Sequence, residues 1–228
     1  MCEECGCSNP STMFLKNRVR KIELQVPVLQ ANQTYADQNR ALFSAQGIHV
    51  INLISSPGSG KTTLLQAMAR ILGSRMAVIV GDLQTDRDAV RIRDAGCQAV
   101  QIETQGACHL DAKIVSEKIP TLDLSHVKLL VIENVGNLVC PASYDLGENE
   151  KVVLLSVTEG DDKVLKYAPI FSRVSTMILT KIDLLPYVDF DTLRAEQECI
   201  SLSPQAKILR ISAKTGEGME QLTTRFQR

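Results

Sequence analysis

Lys61 and Thr62 close a short loop whose residue types suit one kind of ligand, a chain of phosphates. The stretch "NLISSPGSGKTTLLQ" leaves an apolar segment, passes through Ser55-Ser56-Pro57-Gly58-Ser59-Gly60-Lys61-Thr62, and enters a helical pattern. It matches G-x-x-x-x-G-K-[ST] at every position but the first, where Ser55 stands for glycine. Gly58 and Gly60 let the backbone curl so that successive N–H groups point inward at phosphate oxygens. The helix that follows adds the partial positive charge of its N-terminus. Lys61 would reach the β- and γ-phosphates, the Thr62 hydroxyl can ligate Mg²⁺, and Ser59 and Thr63 complete the set. A glycine-rich turn with a coincidental Lys-Thr is the plain alternative, and the strand–loop–helix context argues against it. Ser55 is expected to constrain the backbone at the first corner while leaving the cradle intact.

Two later stretches bear on the base. "MILTKIDLLP" ends an apolar run with Thr180-Lys181-Ile182-Asp183, which resembles N-K-x-D. The Asp183 carboxylate can accept from N1–H and the 2-amino group of guanine, donors that adenine lacks. Lys181 would lay its stem along the base. Thr180 replaces the usual Asn, which is expected to weaken the bracing of the loop more than the choice of base. "RISAKTGEG" supplies Ser212, Ala213 and Lys214, an S-A-K that would cap guanine O6 through a backbone N–H. In this order after a phosphate loop, the two tripeptides point to GTP. Two acidic strand ends, Asp82 in "AVIVGDLQTDRDA" and Glu133 in "LLVIENVGN", can hold Mg²⁺ or orient an attacking water. Helix capping by Asp82 and an ordinary polar strand end at Glu133 are the alternatives. With no evident water-positioning glutamine and no assignable arginine finger, hydrolysis at Lys61, Asp82 and Glu133 is expected to be slow.

Thiols form a second chemistry. The chain opens "MCEECGCSNP", a C-x-x-C-x-C arrangement of Cys2, Cys5 and Cys7 on an otherwise polar tail. Once deprotonated, three such thiolates can wrap a soft or borderline cation without help from a fold, with disulfide chemistry or a chance cluster as alternatives. "TQGACHLDAKI" sets Cys108 beside His109, and "ENVGNLVCPAS" sets Cys140 four residues after Gly136. Thiolate, imidazole and thiolate are ligands for Zn²⁺ or Ni²⁺ rather than for Mg²⁺. On a regular helix, neighbours diverge by about 100°. Cys108 and His109, expected at a helix start, would therefore need a two-fold interface to pool ligands. A packing role for these thiols is the alternative. Attachment of Cys140 to a loop that responds to a γ-phosphate suits a switch. Cys97 and Cys199 stand alone beside apolar runs and read as packing residues.

These groups need a frame. The runs "HVINLISS", "RMAVIVGD", "CQAVQIET", "KLLVIENV", "KVVLLSVT", "TMILTKID" and "KILRISA" are mostly continuous Val/Ile/Leu strings, as in strands covered on both faces. Helical stretches such as "TTLLQAMARIL", "RDAVRIRDAG" and "CHLDAKIVSEKI" separate several of them. Such alternation predicts an α/β fold with a mostly parallel central sheet flanked by helices, its ligands at the carboxyl ends of the strands. Residues 1–10 read as a cysteine-rich tail, 11–47 as a helical segment ending near Gly47, and 48–228 as the nucleotide-binding domain. The 228 residues suit one fairly large domain. A formal charge of −1 gives no electrostatic case for nucleic acid, and no run is long enough to span a bilayer. Without a secretion signal, a cytoplasmic location is expected.

The motifs together resemble the HypB family, the nickel-incorporating GTPases of [NiFe]-hydrogenase maturation. "CEECGC", "SSPGSGKTTLL", "GDLQTDRDA", "TQGACHLDA", "ENVGNLVCPASYDLGE", "TKIDLLP" and "SAKTGEG" carry the resemblance along nearly the whole chain. It implies a P-loop G domain of the deviant class that includes the urease accessory and signal-recognition GTPases, with a GTP-linked homodimer. It also implies a metallochaperone that works with a HypA-type zinc/nickel accessory protein to deliver nickel to the hydrogenase large-subunit precursor. By the same resemblance, Cys108, His109 and Cys140 form an interface site for Ni²⁺ or Zn²⁺, and Cys2, Cys5 and Cys7 form a tighter nickel site. With three histidines, the chain lacks the storage tracts of some members. The alternatives are a chaperone for another metal centre, such as urease or a cobalamin enzyme, and a metal-buffering module that does not turn over GTP.

Overall fold

The structure, a computed structural model, describes residues 29–82, 86–104 and 106–226; the side chain of Asp82 lies outside this description, as do Cys2, Cys5 and Cys7. A helix α1 over residues 29–45 leads through a turn at Gly47 into strand β1 (His49–Ser55). Six further strands follow: β2 (Met76–Asp82), β3 (Gln98–Glu103), β4 (Leu129–Glu133), β5 (Glu150–Ser156), β6 (Thr176–Thr180) and β7 (Lys207–Ile211). Each lies within a run expected from the sequence or overlaps it within a residue. The helices between and after them are α2 (Lys61–Leu72), α3 (Arg87–Asp94), α4 (Ala112–Lys118), α5 (Lys163–Lys166), α6 (Ala168–Phe171), α7 (Thr192–Leu202) and α8 (Met219–Phe226).

Every strand pair is parallel, and the sheet order is β3-β2-β4-β1-β5-β6-β7. The chain runs outward on one side of β1 as far as β3, comes back to β4, and then crosses to β5 on the other side. The carboxyl end of β1 is thus the point where connections diverge, the place where a doubly wound sheet opens a ligand crevice.

The continuous apolar strings are explained by cover on both faces. On one face Ile51, Leu53, Val78 and Leu154 pack on Leu64, Leu65 and Met68 of α2, Ile92 of α3, and Leu222 and Phe226 of α8. On the other, Val50, Ile79 and Ile132 meet Phe43 of α1 and Val115 of α4. Val153, Leu155 and Leu179 meet Val164, Phe171 and Cys199 from α5 to α7. Fully burying each large aliphatic side chain contributes roughly 1.5–3 kcal/mol, which makes this sheet a rigid platform for the loops at its carboxyl edge. Cys97 and Cys199 sit inside this core, where burial pushes their thiols up to about 12 and about 11. They are packing residues, not ligands.

The opposite edge carries a stabilising ion cluster. Glu150, which opens β5, meets Arg225 Nη2 at 2.6 Å and His49 Nε2 at 3.2 Å, and accepts from the Ser175 hydroxyl at 2.8 Å. The bond from His49, with Ser175 and Arg225 assisting against burial, holds this carboxyl down to about 2 from an ordinary 4.5. A depressed carboxyl stabilises the fold above its unfolded value and loses that contribution as pH falls through the folded value. Glu150→Gln is therefore expected to cost about 1–2 kcal/mol at neutral pH after allowance for solvent screening. Urea titrations should show the gap from wild type closing as pH falls from about 4.5 to about 2. A pH-independent gap would contradict it.

Candidate nucleotide and metal site

The loop 55–62 rounds the end of β1 into α2. Gly58 (φ 77°) and Gly60 (φ 95°) occupy the left-handed region that an L side chain resists, and Gly60 caps α2. Ser55 ends β1 without a positive φ, so that corner does not require glycine. Its buried hydroxyl accepts from Lys61 Nζ at 2.8 Å and from the Ser59 hydroxyl at 2.5 Å. The serine that breaks the motif thus becomes a holder for the lysine that defines it. Beside the loop lies a cavity of about 540 Å³ lined by Gly58, Lys61, Thr62, Thr63, Glu133 and Gly136, among others. Thr62 donates to Asp88 Oδ2 at 2.9 Å, and Asp88 also lines this cavity. Asp88 escaped the sequence reading, although it lies six residues after Asp82 in the acidic stretch already singled out. A hydroxyl beside a carboxylate forms an oxygen-donor pair of the kind Mg²⁺ prefers, so these residues fit that ion.

A smaller cavity of about 190 Å³ adjoins the first and shares Gly60, Thr63 and Lys181 with it. Asp183, Ala213 and Lys214 line it, with Leu184 and Ile211 as apolar walls. The Ser212 hydroxyl donates to Asp183 Oδ1 at 2.7 Å, and the Thr215 N–H donates to that hydroxyl, so the strand end after β7 fixes the carboxylate. A slot with one fixed carboxylate at its rim suits a planar base carrying two adjacent donors. Lys181 (φ 59°) is the one non-glycine residue with a positive φ among the described residues, and its ammonium donates to Gly58 O at 2.7 Å. Thr180, which stands where Asn is usual, does brace the phosphate loop. Its buried hydroxyl donates to Ser59 O at 2.7 Å, so a shorter side chain ties the same loop directly.

The helix expected from Cys108 begins four residues later. Asp111 accepts from the Ile114 N–H at 2.8 Å and caps α4 at Ala112, leaving Cys108 and His109 in the preceding loop. The divergence expected of helical neighbours therefore does not apply. Cys108 Sγ lies 3.5 Å from His109 Nδ1 and 2.7 Å from Cys140 Sγ, and one ligand atom from each residue falls within 4.8 Å of the others. A single chain thus assembles the sulfur–nitrogen–sulfur set. Burial lowers the pKa of His109, which favours the neutral imidazole a metal needs, and its ring lies tilted against that of Tyr144, with centroids 3.8 Å apart. Hydrogen bonding with Cys140, aided by burial, raises the Cys108 thiol, so a metal must displace a proton there.

Two buried asparagines of α1 hold the loops that carry these ligands. Asn32 donates to Asp145 O at 2.7 Å and accepts from the Ala112 N–H at 2.8 Å. Asn39 donates to Ala112 O at 2.9 Å and to Leu146 O at 3.1 Å. Arg40 forks onto the Asp145 carboxylate at 2.8 and 2.7 Å. The phosphate cavity and the thiol cluster also share a wall, the loop after β4. Its Gly136 lies so near Pro57 that a Cβ would come within 3.1–3.2 Å of that residue, and Asn137 donates to Cys108 O at 3.3 Å.

Comparison with known proteins places this arrangement. Residues 49–210 match the family model described as CobW/HypB/UreG, nucleotide-binding domain. Over 204 residues the chain is 50% identical to hydrogenase maturation factor HypB of Escherichia coli (strain K12), covering 89% of this chain and 70% of that protein. It is 40% identical over 205 residues to hydrogenase/urease maturation factor HypB of Helicobacter pylori (strain J99), covering 88% and 85%. The crystal structure of HypB from Helicobacter pylori in complex with nickel matches with a TM-score of 0.83 at 40% identity, over 86% of this chain and 93% of that one. By sequence and by architecture, the chain belongs to the HypB hydrogenase maturation factors of the CobW/HypB/UreG family.

Proposed function

We propose that this chain hydrolyses GTP to GDP and phosphate and uses that cycle to load nickel into the large-subunit precursor of a [NiFe]-hydrogenase. One observation carries the reading: the loop after β4 borders the phosphate cavity through Asn134 and Gly136 and reaches the thiol cluster through Asn137 and Cys140. Nickel is cargo here, offered two thiolates and an imidazole by Cys140, Cys108 and His109. Gly58, Ser59, Gly60, Lys61, Thr62 and Thr63 bind the phosphates, and Lys61 steadies the charge that grows on them as water attacks the γ-phosphorus. Glu133 orients that water, while Asp183, held by Ser212, reads the base beside Lys181, Ala213 and Lys214. Thr62 and Asp88, with Asp82 as a further carboxylate, would hold Mg²⁺, which would neutralise phosphate charge when bound.

Cys108 is exposed, and Val139 beside Cys140 is 63% exposed, an apolar side chain open to a second copy. A GTP-linked homodimer would cover both and bring two clusters together, whether they carry Ni²⁺ or Zn²⁺. Cys2, Cys5 and Cys7 act as the loading site, and a HypA-type accessory protein is the exchange partner, in the cytoplasm. The double designation of the Helicobacter pylori relative makes a urease target the second reading. Expression of Cys2→Ala, Cys5→Ala, Cys7→Ala in a strain lacking the native factor tests the loading role. Hydrogenase activity at limiting nickel should fall sharply and recover with excess nickel; normal activity at limiting nickel would contradict the role.

A further inference from the structure

The body of the sheet holds a chain of polar side chains that neither hydrolysis nor metal ligation uses. Asn134, the first residue after β4, is fully buried and lines the phosphate cavity. Its Oδ1 accepts from the Val135 N–H at 3.0 Å and from the Leu110 N–H at 3.2 Å, and Leu110 directly follows His109. Its Nδ2 donates to Asn52 Oδ1 at 3.2 Å, and Asn52 Nδ2 donates to Glu148 Oε1 at 3.3 Å. Glu148 also accepts from the Leu146 N–H at 2.6 Å and pairs with Lys151 Nζ at 2.7 Å. Lys151 donates onward to Tyr144 O at 2.5 Å, and the Tyr144 ring covers the His109 imidazole. The chain therefore starts at the phosphate cavity and reaches the metal loop twice, at Leu110 and at Tyr144.

Its polarity is fixed. A carboxylate paired with an ammonium can only accept, so Asn52 must turn its NH₂ to Glu148 and its oxygen to Asn134. Asn134 must then offer its NH₂ to Asn52, which leaves its oxygen for the two backbone N–H groups. Reversing either amide would oppose two donors or two acceptors in a buried site, which is costly. A displacement of Asn134 by its neighbours in the phosphate cavity therefore passes to Leu110 as a shift of position, not as a loss of one bond.

We propose that Asn134, Asn52 and Glu148 are positioning residues that couple the state of the nucleotide to the affinity of the Cys108–His109–Cys140 cluster. This rests on the reading of that cluster as a metal site. Asn52 and Glu148 touch neither cavity nor ligand, so they are the places to cut the relay. Asn52→Leu keeps the shape and removes both amide bonds; Glu148→Gln replaces an acceptor-only carboxylate with an amide whose NH₂ must face either Lys151 and Asn52 or the Leu146 N–H, which breaks one end of the relay.

The test uses the full chain with Cys2, Cys5 and Cys7 replaced by serine, titrated with Ni²⁺ and followed by thiolate-to-nickel absorption. Titrations with GDP and with a non-hydrolysable GTP analogue give two dissociation constants. Their ratio in this parent chain should differ from one by at least about fivefold, the lower end of typical coupling. In Asn52→Leu and in Glu148→Gln it should fall to within about twofold of one, while GTP-analogue affinity and the GDP-state nickel affinity change by less than about threefold. If Asn52→Leu does not fold, Glu148→Gln alone decides. An unchanged ratio in a folded variant overturns the relay while the metal site stands. A ratio of one already in the parent chain overturns both the relay and the nucleotide-linked reading.

Discussion

Replacement of Lys61 by alanine is expected to abolish micromolar GTP binding. In the proposed role the ammonium would meet two phosphate groups, and each charge-assisted bond contributes about 1.5–3 kcal/mol. A combined loss of about 3–5 kcal/mol corresponds to a weakening of roughly 10²- to 10³-fold or more. Lys61 lies at the start of α2 and donates to the Ser55 hydroxyl within the same loop, so the fold should tolerate the change. Calorimetric titration with GTP measures the effect, and a thermal melt shows that the variant is folded. Micromolar binding by a folded Lys61→Ala would contradict the assignment of the phosphate loop.

The second large effect belongs to the thiol cluster. Cys108→Ala removes one of the three proposed ligands and also the partner of Cys140, while Asp111 still caps α4 and Asn137 can still reach the backbone carbonyl at position 108. Loss of outer-shell support alone costs roughly 10- to 100-fold in metal affinity, so loss of a direct ligand should cost about 100-fold or more. Because the Cys108 thiol is raised by its bond to Cys140, nickel binding should release protons and weaken as the pH falls. Nickel affinity that is independent of pH and unchanged in Cys108→Ala would mean that the cluster is only packing.

Local pattern carried much of this molecule. The seven strands were legible because strands covered on both faces have little choice but Val, Ile and Leu, and the phosphate loop because its glycines and lysine leave few alternatives. The start of α4 was not legible. "CHLDAKIVSEKI" keeps a helical period throughout, and only the Asp111–Ile114 cap shows that the helix stops short of Cys108. The role of Thr180 was hidden for a different reason: its partner, Ser59 O, is 121 residues away. The same holds for the cluster and the relay. Cys108 and Cys140 are 32 residues apart, Asn52 and Asn134 are 82 apart, and Asn52 and Glu148 are 96 apart. The Asn52 pairings follow from strand order, in which β1 lies between β4 and β5, and no short window along the chain contains any of these pairs.

In the function proposed, one loop serves two ligands, so that nucleotide state governs how tightly nickel is held. Nickel titration of the chain bearing the Cys2, Cys5 and Cys7 replacements, with GDP and with a non-hydrolysable GTP analogue, tests it most directly when Cys108→Ala is run beside it. Nickel affinities should differ between the two nucleotides by at least about fivefold, and both should collapse in Cys108→Ala. Equal affinities in the two nucleotide states, or affinities that Cys108→Ala leaves untouched, would contradict it.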